Sequence, residues 1–257
     1  MQGHWLLAKL GKRVLRPGGI GLTTQLLASA SPSSTDRIVE FGPGVGRTAS
    51  MLLATNPRSY LGIDPNPEGR GPLDRVLAEH PTARLVVADA ADTGLPAGEA
   101  DLVVGEAMLS MHSQTDKEQI VAEAARLLAP GGRYAIHELL RIGDVPGMSD
   151  DGGSTRDPVA KDISRQIKVG ARPLTLDGWR DLLSAAGLEV TWTGRAPMRL
   201  LEPSRIIADE GPRGALQFAF NLVRNKPARQ RVLAMRKTFR DHADSLGAIA
   251  LVARKPQ

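Results

Sequence analysis

The chain of 257 residues contains no cysteine. This absence excludes a disulfide framework, a cysteine-ligated zinc or iron–sulfur site and a thiol nucleophile. The sequence also lacks any run of about 18 apolar residues, the length that a membrane span needs. Its N-terminal apolar patch is short and precedes the basic residues, which is the wrong order for a secretory signal. We therefore expect a cytoplasmic protein without a membrane span.

Aromatic residues make up only 4% of the chain, so few side chains are available for stacking on an unpaired nucleic-acid base. The formal net charge is +5, and the basic residues are unevenly placed. Residues 195–240 hold eleven lysines and arginines against three acids, whereas residues 1–35 hold four basic residues and no acid. Solvated helix faces are the favoured interpretation, and an anionic partner such as RNA or DNA is the alternative.

From residue 37 onward, short apolar runs alternate with helix-like stretches, as they do in parallel βαβ units. The predicted strands are 37–42, 60–64, 83–89, 100–106, 133–138, 188–194 and 248–254. Thr115 with Glu118 predicts a capping box at the start of the helix before the fifth strand, and Thr175 predicts a later helix N-cap. The pattern predicts an α/β fold.

The chain divides into an N-terminal segment and one large domain. Residues 1–35 are basic and amphipathic, and we expect them to form a helical lid that includes Trp5. Residues 36–257 are predicted to be a single domain. Within it, 139–174 and 196–246 are longer than simple connections, and long insertions at one end of a scaffold often bind ligands. We predict that both insertions cap a substrate.

Three glycines, Gly42, Gly44 and Gly46, follow the first predicted strand and precede a helix-like stretch. Closely spaced glycines let the backbone turn sharply and let a ligand lie directly against it. Asp64 ends the second predicted strand, where a carboxylate can accept hydrogen bonds from both hydroxyls of a ribose. The third glycine of a dinucleotide fingerprint is missing, because Arg47 stands at that position. The pattern indicates a nucleotide-like ligand other than NAD.

The stretch E-F-G-P-G-V-G at 40–46 resembles motif I of the class I S-adenosylmethionine-dependent methyltransferases. Residues 62–64 resemble the following motif, whose acid holds the adenosine ribose. Asp89 and Ala90 resemble the family's adenine-contacting pair, and 127–132 resemble its L-x-P-G-G turn before the fifth strand. The subgroup that the chain resembles is the methyltransferase type 11, quinone-biosynthesis-like group, which acts on small molecules.

This resemblance implies a Rossmann-like, seven-stranded and mostly parallel sheet with an antiparallel last strand. Helices are expected on both faces, with helical cap insertions. The implied methyl donor is S-adenosyl-L-methionine, and the implied product is S-adenosyl-L-homocysteine. The residues implied to bind this cofactor are Glu40, Gly42, Gly44, Gly46, Asp64, Pro65, Asp89, Ala90 and Glu106.

Methyl transfer from a sulfonium is an in-line displacement, which requires alignment and exclusion of water, while a catalytic base is optional. Where the acceptor must lose a proton, a neutral histidine can receive it. His112 follows the fourth predicted strand, and His137 lies at the end of the fifth. These two histidines are the predicted catalytic residues. Alternation places His137 and Glu138 on opposite faces of the sheet. For each histidine, a structural role is the simpler interpretation.

The residues predicted to contact the substrate are Met111, Glu138 and Arg141, although core packing or ion pairing would also account for them. No metal site is predicted, because the carboxylates are scattered and no histidine has a ligand-spaced partner. A small-molecule acceptor is the expected partner, a homodimer is a further expectation, and a nucleic-acid partner is not expected.

Three functions compete. The first is methyl transfer (EC 2.1.1) to a small molecule, which the large insertions favour. The second is an RNA or DNA methyltransferase that uses the basic 195–240 segment. Against it, 105–108 read G-E-A-M, where amino-directed nucleic-acid enzymes carry an Asn/Asp-Pro-Pro-Tyr type of motif. The third is a cofactor-binding relative without catalytic activity.

Overall fold

The computed structural model describes residues 3–66, 71–143, 158–168 and 170–257. Its strands are β1 (Arg37–Phe41), β2 (Ser59–Ile63), β3 (Ala83–Val86), β4 (Ala100–Glu106), β5 (Leu128–Arg141), β6 (Glu189–Pro197) and β7 (Leu246–Arg254). Its α-helices are α1 (Gly3–Lys9), α2 (Gly19–Ala30), α3 (Arg47–Leu53), α4 (Gly71–Ala78), α5 (Gln114–Leu127), α6 (Pro158–Ile167), α7 (Leu176–Ala185), α8 (Pro203–Arg224) and α9 (Lys226–Asp241). A short 3-10 helix covers Leu109–Met111.

All seven strands form one sheet in the order β3-β2-β1-β4-β5-β7-β6. The pairs among β1 to β5 are parallel, whereas β7 runs antiparallel to both β5 and β6. The predicted Rossmann-like sheet with an antiparallel last strand is therefore confirmed. The strand order reverses on either side of β1, and ligands of open α/β sheets bind in the crevice at such a switch point.

The sheet carries an apolar core on each face. One core joins the sheet to α5 and α7 and contains the fully buried Trp179. The other lies against α2 and α3 and contains Leu26 and Leu52. A third apolar cluster lies apart from these two and joins α1, α6, α9 and the residues after β6. Much of both predicted insertions therefore packs against the N-terminal helix, while residues 144–157 lie outside the described part of the chain.

Two local predictions needed adjustment at helix α5 and strand β3. The helix begins after Ser113, whose side chain accepts from the Asp116 N–H while the Asp116 carboxylate accepts from the Ser113 N–H. The prediction of a capping box at Thr115 and Glu118 was therefore wrong by two residues. The Ser113–Asp116 and Thr115–Glu118 pairs have the same three-residue spacing, so the spacing alone does not distinguish them. Strand β3 ends at Val86 rather than at 89, since its pairing with β2 ends there. The Thr175 cap is confirmed.

Buried charges anchor the N-terminal segment to α8. The Lys12 Nζ atom lies 3.1 Å from Asp209 Oδ2 and 3.6 Å from Glu210 Oε1, and none of the three side chains is exposed. The same carboxylates accept backbone hydrogen bonds: the Val14 N–H donates to Glu210 at 2.8 Å and the Ile20 N–H to Asp209 at 2.9 Å. The chain between α1 and α2 is therefore held in one path across the molecule.

We expect Lys12→Ala to lower the free energy of unfolding by about 3–5 kcal/mol, because it removes the buried cation beside Asp209 and leaves Glu210 with only the largely exposed Arg13. Chemical denaturation of the variant and the unmodified protein measures this difference. Lys237→Ala is the matched control, since it removes a lysine whose ion pair with Asp241 is exposed. A Lys12→Ala variant as stable as that control would contradict the anchoring role.

Candidate functional site

The glycine loop after β1 has a backbone that only glycine adopts without strain. Gly42, Gly44 and Gly46 have φ angles of +63°, +55° and +81°, all in the left-handed region. The Gly46 N–H donates to the Pro43 carbonyl at 2.9 Å and closes the turn before α3. A Cβ added at Gly46 would lie 3.0 Å from the Cα of Leu73. The loop therefore presents bare backbone beside the end of β1.

A cleft with a volume of about 480 Å³ opens at the carboxyl ends of β1, β2 and β4. We call it the polar cleft because charged side chains line it, namely Arg13, Arg16, Arg47, Asp64 and Glu106. Ligand sites have volumes of about 300–1,000 Å³, so the cleft is large enough for a nucleoside. Among the predicted site residues, those that line it are Gly42, Gly44, Asp64, Pro65, Glu106, Met111 and His112. Trp5, Arg13 and Arg16 from the N-terminal segment form a further wall.

The residues predicted to bind the ribose and the adenine differ in their position relative to this cleft, because Asp64 lies in its wall and Asp89 and Ala90 do not. Asp64 is half-buried, and its Oδ1 accepts from the Asn66 N–H at 2.9 Å, which orients the carboxylate. Asp89 and Ala90 follow β3, where Asp89 accepts from the Ala91 N–H at 2.9 Å and Ala90 is buried. Neither of them is part of the cleft wall that the described residues form.

The Glu106 carboxylate at the end of β4 is paired on both oxygens. One oxygen accepts from Arg16 Nη1 at 2.5 Å and from the Thr48 hydroxyl. The other accepts from Thr23 Oγ1 at 2.7 Å and lies 2.9 Å from His137 Nδ1. Burial opposes ionisation, but the Arg16 charge and the His137 hydrogen bond lower the pKa of Glu106 to about 2. Glu106 is therefore an ionised anchor for Arg16.

His137 and Glu138 point to opposite faces of β5, as alternation requires. The His137 ring is fully buried on the α2 side, with Nδ1 bonded to Glu106 and Nε2 buried without a partner. Glu138 accepts from the N–H groups of Met108, Leu109 and Ser110 at 2.8–3.0 Å and from Ser110 Oγ at 2.7 Å. Burial raises the pKa of Glu138, and these hydrogen bonds oppose the shift. Glu138 therefore fixes the turn at 108–110.

The remaining predicted residues differ in their access to the cleft. His112 has a side chain that is 41% exposed, and its Nδ1 lies 4.0 Å from Asp116 Oδ2. It lines the cleft together with Met111. Arg141 instead is buried and donates from Nη1 to the carbonyls of Ile142 and Ser245, each at 2.8 Å. The structure brings His112, but not Arg141, to the cleft.

A small apolar pocket, with a volume of about 70 Å³, adjoins the polar cleft. Helices α1, α6 and α9 and the residues after β6 contribute its walls. Among the described lining residues, Ser110 and Glu138 carry the only polar side chains, and they are bonded to each other. Leu15, Ala107 and Met111 line both the pocket and the cleft. The two spaces therefore meet beside the end of β4.

Sequence reasoning missed two residues of the site. Arg16 reaches Glu106 across 90 positions of the chain, and its Nε and Nη2 atoms are buried without a partner. Tyr60 Oη donates to Glu40 Oε2 at 2.6 Å, so Glu40 is bonded beneath the glycine loop and is not part of the cleft wall. Neither contact has a local sequence signal.

Within the described residues, no group of three or more acidic or histidine side chains is arranged to hold a metal, and no helix is long and apolar enough to span a membrane.

The stability of the protein should depend on the protonation of Glu40. Burial raises the pKa of Glu40 to about 8 from its ordinary value of 4.5. Between these values the unfolded chain releases this proton while the folded chain keeps it, so Glu40 lowers the stability as the pH rises.

We expect Glu40→Gln to gain stability relative to the unmodified protein by about 1 kcal/mol per pH unit between pH 5 and pH 8. Urea unfolding at several pH values across this range measures the difference. Glu79→Gln, which replaces an exposed carboxylate, is the control and should follow the unmodified protein. If the free energy of unfolding changed with pH in the same way for Glu40→Gln and the unmodified protein, Glu40 would be ionised throughout this range.

Comparison with known proteins places this geometry in context. Residues 39–136 match the family model described as "Methyltransferase domain". A protein of Haemophilus influenzae, described as uncharacterized, is 29% identical over 98% of each chain. The 27-O-demethylrifamycin SV methyltransferase of Amycolatopsis mediterranei is 27% identical over 91% of this chain and 83% of its own. The solved structure of the [4+2]-cyclase SpnF has a TM-score of 0.69 at 19% identity, covering 98% of this chain and 91% of that chain. The resemblance predicted from the sequence is confirmed.

Proposed function

We propose that the protein transfers a methyl group from S-adenosylmethionine to an apolar small-molecule acceptor, because residues 39–136 match the methyltransferase-domain family model. One observation carries this proposal: the polar cleft and the apolar pocket meet at Leu15, Ala107 and Met111. At about 70 Å³ the pocket is smaller than a site for a whole ligand, about 300–1,000 Å³, so it would hold an apolar part of the acceptor. That part would face a methyl donor in the cleft at this junction. Such alignment is the main requirement of an in-line displacement.

The cleft residues fit S-adenosylmethionine. The unpartnered nitrogens of Arg16, together with the buried, unpartnered Nε of Arg47, offer donors for its carboxylate. The glycine loop accommodates the methionine part, and Asp64 accepts from the ribose hydroxyls. Asp89 and Ala90 are proposed for the adenine on the resemblance alone. When bound, the cofactor supplies a methyl group on a sulfonium, whose leaving group is a neutral thioether.

The chain's own residues orient the acceptor and exclude water. The turn at 108–110, held by Glu138, carries Met111 at the junction of the two spaces and His112 in the wall of the cleft. His112 is the proposed proton acceptor where the reacting atom is a hydroxyl or an acidic carbon, because it is exposed to the cleft. His137 is a weaker candidate, since it is fully buried with Nδ1 bonded to Glu106. Residues 1–35 and the two insertions are proposed as the lid and cap over these ligands.

The two competing functions make different use of the same molecule. An RNA or DNA methyltransferase would use the basic surface of α8 and α9, but the apolar pocket beside the cleft favours an apolar acceptor. A relative that binds the cofactor without methyl transfer would keep the cleft and the fold, because a fold by itself does not specify a reaction. Direct measurement of methyl transfer therefore separates the three functions.

Asp64→Ala should weaken the binding of S-adenosylhomocysteine by roughly 100-fold, because two hydrogen bonds to a charged acceptor are lost. Isothermal titration calorimetry measures the affinity, and a thermal unfolding curve checks that the variant is folded. Asp181→Ala, on the exposed surface of α7, is the matched control and should bind as the unmodified protein does. Equal affinity for both variants would remove Asp64 from the cofactor site.

The acceptor can be sought with methyl-labelled cofactor, using an apolar metabolite extract in one arm and an RNA pool in the other. Ala171 is buried in the pocket wall, so Ala171→Leu should fill part of the pocket. We expect turnover of an apolar acceptor to fall by roughly tenfold or more, with unchanged S-adenosylhomocysteine binding. Ala78→Leu, exposed at the end of α4, is the control. Label in RNA alone, or full activity of Ala171→Leu, would contradict the proposed acceptor site.

A further inference from the structure

An apolar stripe is exposed on the second half of α8. Leu216, Phe220 and Val223 are 73%, 56% and 69% exposed. Their spacing of four and then three residues puts them on one side of the helix, and Phe218 on another side is buried in the third apolar cluster. A kink at Gly211, where φ is +73° and ψ is 169°, separates this second half of α8 from the first. Three neighbouring large apolar side chains therefore face away from the protein core.

The surroundings of this stripe are strongly basic because the nearby acids are already paired. Of the three acids in 195–240, Asp209 and Glu210 are buried against Lys12, and Glu202 accepts bidentate hydrogen bonds from Arg236 and Arg240. None of these carboxylates is left to neutralise the stripe's basic neighbours.

Four exposed cations flank the stripe in sequence, namely Arg213, Arg224, Lys226 and Arg229. In the part of the chain that the structure describes, the ion pairs do not include any of these four. The Arg224 guanidinium lies 5.2 Å from the centre of the Phe220 ring, so a cation and an apolar group are presented together.

We propose that the outer face of α8 docks on the surface of an anionic lipid bilayer. Apolar side chains of an interfacial helix enter the boundary between headgroups and acyl chains, while flanking lysines and arginines bind the anionic headgroups. The charge distribution selects this occupant. A second copy docked on the same face would bring two basic surfaces together, and like charges oppose such an interface. A nucleic acid would use the cations but would leave Leu216 and Val223 without an apolar environment.

This proposal is independent of the methyl-transfer function and is tested by vesicle flotation. The full chain is mixed with phosphatidylcholine vesicles that contain about 30% phosphatidylglycerol, or with phosphatidylcholine alone, at low and high salt. We expect binding to the anionic vesicles, weakened on the order of tenfold or more by removing the anionic lipid or by adding salt.

Two sets of substitutions separate the apolar and the electrostatic contributions. The triple variant Leu216→Ser, Phe220→Ser, Val223→Ser should lose binding on the order of tenfold or more, and so should the triple variant Arg213→Gln, Lys226→Gln, Arg229→Gln. Val87→Ser, which replaces an exposed valine outside α8, is the control and should bind normally. Because all the substituted side chains are exposed, the variants should melt as the unmodified protein does.

Some outcomes would overturn the proposal. Failure of the unmodified protein to float with anionic vesicles at low salt would do so, as would equal binding by the apolar triple variant. Light scattering that shows a dimer lost in that variant would assign the stripe to a second copy. Retention of RNA by the unmodified protein, without vesicle binding, would assign the basic surface to nucleic acid.

Discussion

The ion pair between Arg16 and Glu106 is the contact on which the site depends. A buried carboxylate at the end of β4 is tolerated only because a cation and hydrogen-bond donors satisfy it. The cation comes from the segment between α1 and α2, so that segment must cross the cleft. Four residues earlier, Lys12 binds the acids of α8. The short segment between α1 and α2 therefore forms a wall of the cleft and is also bound to α8.

The features that sequence predicted are those with a local physical cause. Buried parallel strands need short apolar runs, and left-handed turns need glycine, so the sheet, the loop at Gly42–Gly46 and the position of Asp64 follow from neighbouring residues. The capping box illustrates the limit of this reasoning. Ser113 with Asp116 and Thr115 with Glu118 have the same spacing, and the choice between them depends on where the chain leaves β4.

Contacts between distant residues could not be predicted in the same way. Alternation separates His137 from Glu138, but it does not tell which face of β5 contacts a ligand. Burial raises the pKa of Glu40, and the hydrogen bond from Tyr60 on the neighbouring strand opposes this shift. Glu138 accepts hydrogen bonds from three amides of a turn that lies 28 to 30 positions earlier in the chain. In each case the partner is set by tertiary packing, which leaves no pattern within a window of the sequence.

The hydrogen bonds of Glu138 fix the backbone of the site without involving the side chains that line the cleft. One carboxylate holds the amides of 108–110 from the core side, and the side chains of Met111 and His112 follow on the ligand side. Exchange of those two side chains during evolution would leave the scaffold beneath them in place. Descendants of this chain could therefore diverge in what they modify through a few substitutions, without rebuilding the sheet that supports them.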